Sequence, residues 1–228
     1  MKNLLLITSV VLITTWAAQG QESETRNIGS FSGVKVTEGI DVYLKKGEKE
    51  SVRVEVTGTS LQNVLTEVSG SYLRVHMRDG NYRGNVQAKV YVTYVMIDKL
   101  TASSAGSIFS EGAVEANKLD VSVASAGSIE ITVNATDVHA SASSAGEMEL
   151  QGKTKSLNVD ASSAGQIDAY DLEAQKVIAE AASAGSLKIN VTNDLAAHAS
   201  SGGNIRYHGN PEKSITDSSS GGSVKKSN

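Results

Sequence analysis

From about residue 100 onward, hydrophobic and polar positions alternate with period two, interrupted at even intervals by one short unit. That unit is Ser-(Ala/Gly)-Gly, and it occurs seven times, ending at Gly106, Gly127, Gly146, Gly165, Gly185, Gly203 and Gly222. The intervals between those glycines are 21, 19, 19, 20, 18 and 19 residues. Two places after the glycine stand Ile108, Ile129, Met148, Ile167, Leu187, Ile205 and Val224. Eight before it, in the five central copies, stand Leu119, Val138, Leu157, Val177 and Leu195. Six before it the residues are Leu100, Val121, Ala140, Val159, Ala179, Ala197 and Thr216; four before it, Ala102, Val123, Ala142, Ala161, Ala181, Ala199 and Ser218. The positions between are mostly Thr, Ser, Asp, Glu, Lys, His or Asn. Alternation of this kind predicts strands with one face buried.

A unit of about 19 residues with two short strands cannot bury its apolar face alone, but stacked units bury a continuous column. The prediction is an all-β chain forming a parallel β-helix, or solenoid, each coil advancing about 4.8 Å. Like then stacks on like, so each column keeps one residue type. Side-chain size falls toward the Ser-Ala-Gly unit, which predicts a thin corner where backbones approach and Gly fits because it has no Cβ. The Ser two before the glycine shares the parity of the inward columns, so a buried hydroxyl ladder is expected there. A nucleophile would not recur seven times, each copy without a base.

The last coil substitutes Thr216, Ser218 and Ser220 at its apolar positions and is followed by Lys225 and Lys226, as a polar solenoid cap should be. Upstream, strands are expected at 34–37, 40–44, 52–56, 72–77 and 86–95, with a short helix at 59–65. Their spacing is irregular, so residues 21–100 read as wider coils that begin the same solenoid, and 101–228 as the regular seven-repeat part. Residues 1–20 have the layout of a secretory signal peptide: Lys2, an apolar run from Leu4 to Trp16, then Ala18 and Gly20 at the small-residue positions. Cleavage is expected after Gly20. The run is 13 residues, short of the roughly 20 that span a bilayer. An exported chain, periplasmic, surface-bound or extracellular, follows.

The chain has 228 residues and no Cys, so its stability cannot rest on disulfides. Its net charge of −4 offers no basic excess for phosphates, which excludes nucleic acid as a partner. Aromatic residues make up only 4%, so the core must be built from Val, Ile, Leu and Ala.

The opening Phe31-Ser32-Gly33-Val34-Lys35-Val36, with Gly39-Ile40-Asp41-Val42 after it, resembles the start of the putative auto-transporter adhesin, head GIN domain family. The serial Ser-Ala-Gly units resemble the body of that family, exported proteins common in Bacteroidetes. The resemblance spans about residues 30–215. It implies a right-handed parallel β-helix and an adhesin-like role, and it brings no catalytic or binding residues to transfer. No segment with the pattern of an outer-membrane barrel follows the repeats, so self-transport is not expected.

One row could carry chemistry. Three places after each glycine stand Phe109, Glu130, Glu149, Asp168, Lys188, Arg206 and Lys225, an outward column of acids followed by bases. Stacked carboxylates repel, so a cation such as Ca²⁺ bridging Glu130, Glu149 and Asp168 is one reading. The other is a solvated face with Asp168 and Lys188 paired. The acidic and basic stretches could also let two copies meet antiparallel, in a homodimer sensitive to salt. The four histidines, at 76, 139, 198 and 208, share no column. No catalytic, cofactor-binding or metal-binding residue is assigned. The leading function is a non-catalytic exported solenoid that presents a repetitive surface to a glycan, an envelope component or another protein. The alternatives are a polysaccharide lyase or hydrolase, or a purely structural envelope protein.

Overall fold

The structure, a computed structural model, describes residues 22–82 and 84–227. The segment read as an export signal lies outside them. Among these described residues sixteen strands form one continuous sheet folded into a parallel β-solenoid. The regular part comprises β8 (Lys99–Ala102), β9 (Ser107–Val123), β10 (Ser128–Ala142), β11 (Glu147–Ala161), β12 (Gln166–Ala181), β13 (Ser186–Ala199), β14 (Asn204–His208), β15 (Lys213–Ser218) and β16 (Ser223–Lys226). Each long strand covers the front of a coil with its first half, bends, and covers the back with its second. The predicted register holds: Ile129 lies opposite Met148, Met148 opposite Ile167, and Leu157 opposite both Val138 and Val177. These columns are the core, with Ile108, Ile129, Ile167 and Leu187 at most 1% exposed.

Coil lengths differ because the bend absorbs the difference. The register slips at Glu130/Thr132 between β9 and β10, at Glu149/Gly152 between β11 and β12, and around Ala169–Lys176 between β12 and β13. The Ser-Ala-Gly corner never slips, because its backbone geometry is fixed on both sides. Ser125 and Ala126 have φ of 52° and 57°, and the other corners follow suit. The glycine amide closes each turn, as in Gly127 N–H to Ala124 O at 3.0 Å. Two left-handed central residues with an i to i+3 bond make a type I′ turn. Each turn is then stitched to the next: Ala126 N–H donates to Ser144 O, and Ala145 N–H to Ser163 O, both at 3.2 Å.

This corrects the expected hydroxyl ladder. The left-handed pair breaks the alternation, so Ser104, Ser125, Ser144 and their equivalents are exposed, and their carbonyls rather than their hydroxyls carry the stacking. The thin corner is observed. A Cβ on Gly165 would sit 2.4 Å from Ala142 O of the preceding coil, and one on Gly185 2.2 Å from Ala161 O. These glycines have no positive φ; close approach alone demands them.

The first coils are stacked out of chain order. β2 (Gly33–Val36) and β3 (Asp41–Lys46) lie directly against β8 and β9. They join through a corner of the same kind, with Glu38 and Gly39 at φ 64° and 68°. The next parallel layer out is β6 (Tyr72–Met77) and β7 (Gln87–Tyr94), which follow them in sequence yet pair with their outer side. Residues 95–98 carry the chain back past β2–β3 to β8. Three antiparallel strands close this end: β1 (Glu22–Arg26) on β4 (Ser51–Thr57), β4 on β7, and β5 (Val64–Ser69) on β6. The helix expected at 59–65 is a single 3₁₀ turn, Leu61–Asn63, capped by Ser60, and β5 takes the rest. At the other end every residue of β15 is exposed, including the inward-parity Ser214, Thr216 and Ser218.

Candidate functional site

Alternation sends the residue three places past each corner glycine outward, and parallel in-register pairing stacks such residues about 4.8 Å apart. The acidic and basic column therefore forms as predicted: Glu130 lies opposite Glu149, Glu149 opposite Asp168, Asp168 opposite Lys188, Lys188 opposite Arg206, and Arg206 opposite Lys225. The sequence reading missed how the row continues. Phe109 pairs with Tyr43, Tyr43 with Tyr91 and Tyr91 with Arg53. Ten side chains from different strands thus form one line on the front sheet. The signal was available: Glu38-Gly39-Ile40 matches Ser104-Ala105-Gly106, which puts Tyr43 in the Phe109 row.

The aromatic stretch is a stack. Tyr43 lies 5.2 Å from Tyr91 on one side and 5.2 Å from Phe109 on the other, with rings within about 22° of parallel, and the Arg53 guanidinium sits 4.1 Å over Tyr91. Neighbouring groups cover the ring faces, so solvent meets ring edges and hydroxyls. A hollow of about 290 Å³ lies here, lined by Tyr43, Lys45, Arg53, Tyr91, Thr93 and Glu111, among others.

A second hollow, about 220 Å³, runs along the acidic stretch past Glu130, Glu147, Glu149 and Asp168 to Lys188. Lys188 Nζ donates to Asp168 Oδ2 at 2.7 Å, and this bond holds the ammonium above its ordinary pKa. Gln151 Nε2 donates to Glu149 Oε1 at 3.1 Å. The three carboxylates stand in a line instead of converging on a point. Among the described residues no three His, Cys, Asp or Glu side chains are placed to hold a metal ion.

The back sheet carries its own titratable row. Asp160 lies opposite Glu180, Glu180 opposite His198, and His198 opposite Asp217. His198 Nδ1 is 3.1 Å from Asp217 Oδ2, and His139 lies 3.9 Å from Asp160. Burial raises the Asp160 carboxyl above its ordinary value, His139 pulls it back, and Glu180 raises it again. His208 is on the front, stacked 3.9 Å from Tyr170, and His76 Nδ1 lies 3.0 Å from Met77 O.

Fold and surface together define a parallel β-solenoid whose outward residues form long straight rows. A family profile described as putative auto-transporter adhesin, head GIN domain, matches residues 30–211. The chain belongs to that family. Among solved structures it is similar to one described as a putative adhesin from Bacteroides fragilis, at 16% identity and a TM-score of 0.81. A putative adhesin from Parabacteroides merdae aligns at 17% and 0.77, and a putative lipid binding protein from Parabacteroides distasonis at 20% and 0.70. Each alignment covers 92% of this chain and 98% of the other. No curated protein sequence matches. Among the described residues, no helix is long and apolar enough to cross a membrane.

Proposed function

We propose that this is an exported, non-catalytic, adhesin-like protein that presents its front row to an extended partner, a glycan or another envelope component. Residues 1–20 direct export, 21–100 form the irregular end and 101–228 the regular coils. The observation that carries the reading is the unbroken front row from Arg53 to Lys225, with its two shallow hollows. Nine steps of about 4.8 Å make it roughly 43 Å long. An extended ligand suits a flat, rigid row better than an enclosed substrate does, and catalysis would need an enclosed acid–base pair or an activated nucleophile.

Binding of the purified protein to a glycan array and to isolated envelope fractions tests this. Saturable binding, weakened by Arg53→Ala at one hollow and Glu149→Ala at the other, is the expected result. New reducing ends or unsaturated products released from a polysaccharide would transfer the reading to an enzyme. A lipid partner is favoured by a different place. Val95 and Met96, 41% and 68% exposed, lie beside Lys46 and Lys118 around a hollow of about 760 Å³. A relative described as a lipid binding protein fits that arrangement. Sedimentation with anionic vesicles, lost in Met96→Asp, would support it.

A further inference from the structure

The charged half of the front row is complementary to itself. Its six members run Glu130, Glu149, Asp168, Lys188, Arg206, Lys225 on adjacent strands in continuous register. Consider a two-fold axis lying in the front face, parallel to the strands, between Asp168 and Lys188. It reverses the row and leaves each column over itself. Glu130 then meets Lys225 of a second copy, Glu149 meets Arg206, and Asp168 meets Lys188. Every acid faces a base, and every contact occurs twice, as an isologous interface requires.

The neighbouring column is compatible. It reads Ser128, Glu147, Gln166, Ser186, Asn204 and Ser223 along the same strands. Under the same operation Glu147 meets Asn204, Gln166 meets Ser186, and Ser128 meets Ser223, with no like charges opposed. Shape agrees as well. The hollow of about 220 Å³ lies on the acidic side, while the basic side carries the longer side chains, and Arg206 and Lys225 are exposed. Arg206 of one copy can therefore seat against Glu149 in the hollow of the other.

We infer that two copies of this chain associate through the front row, antiparallel, about an axis between Asp168 and Lys188. Six rows of about 4.8 Å by about 20 Å of strand give roughly 600 Å² per copy and roughly 1,200 Å² in total, the lower end of specific interfaces. The contact is charge-rich, so it weakens steeply as salt rises. The dimer leaves the Tyr43–Tyr91 hollow of each copy outside the overlap, one at either end. The inference rests on this chain's own charges alone; because the dimer covers the acidic hollow, it competes there with the partner proposed above.

Sedimentation equilibrium of the purified protein at about 50 mM and about 500 mM salt tests it, since screening differs severalfold between the two. The expected result is a dimer at low salt that dissociates at high salt. Glu149→Arg alone and Arg206→Glu alone each weaken the dimer about tenfold or more by opposing like charges. The double variant E149R/R206E restores it. Within one chain the two residues are three rows, roughly 14 Å, apart, so recovery has to come from across the interface. Thermal unfolding of each variant, expected to match the parent, separates lost association from lost fold. A monomer at both salts at millimolar protein, or a dimer indifferent to either reversal, would overturn the inference. Partner binding is then measured on the unaltered chain below and above its dimerisation concentration.

Discussion

At the scale of single residues, the corner holds the tension in this design. Type I′ turns favour Asn-Gly because both central residues need positive φ, yet five of the seven Ser-containing corners use Ser-Ala and only the last two have Gly, Gly202 and Gly221. A left-handed alanine costs about 1–2 kcal/mol. Ala145→Gly and Ala164→Gly should therefore each stabilise the protein by about 0.5–1 kcal/mol after the added freedom of the unfolded chain is counted. Urea unfolding measures this. The neighbouring glycine behaves in the opposite sense, and in a graded way. A Cβ would meet backbone at 2.9 Å on Gly146 but at 2.2 Å on Gly185. Gly185→Ala should cost about 2–4 kcal/mol and Gly146→Ala clearly less; equal costs would remove close approach as the cause. Asp160 supplies a pH test. Its carboxyl is held above its ordinary value chiefly by burial, so the folded protein keeps this proton to higher pH than the unfolded chain. The contribution is fully present below the unfolded carboxylate pKa and is lost as pH rises through the folded value. Asp160→Asn should remove that loss, leaving a flatter stability profile just above the ordinary carboxylate range. The effect is a fraction of a kcal/mol, because the side chain is only partly buried and still 40% exposed.

At the scale of elements, legibility tracked locality. The columns of β9–β14 were readable because each repeat restates the same alternation and its register is tied to an invariant corner. The orientation of Ser125 and its equivalents was not, because parity counting assumes an extended backbone and the turn inserts two left-handed residues. The short helix expected at 59–65 overlaps only the first two residues of β5; pairing with β6 overrides it there, burying Val64. The position of β2–β3 beneath β6–β7 could not be read, since period-two alternation names the buried face of a strand but not its neighbours. The aromatic half of the front row depended on that placement and was missed with it. The terminal strand makes the element-scale prediction. β15 leaves Ser214 and Thr216 exposed where inner coils carry Leu195 and Ala197. Ser214→Leu with Thr216→Val should turn a polar end into an apolar one, with an open strand edge beside it. Light scattering that grows with protein concentration, absent in the parent, is the expected outcome.

At the scale of the whole molecule, the two ends are built differently. At one end the coils form a simple stack: β15 rests on β13, and β16 on β14. At the other, β2–β3 is clasped between β6–β7 and β8–β9, with residues 95–98 passing over it. Under tension these ends should behave unlike each other. A pull on the C-terminal end meets the ladder hydrogen bonds one row at a time and peels the coils in sequence. Each coil of about 19 residues would release roughly 65 Å of chain. A pull on the N-terminal end cannot unwind the first coil without displacing a layer on either side, so resistance is concentrated there. Held by the clasped end, the molecule is a rigid post; held by the other, it is a tape that lengthens in steps under load.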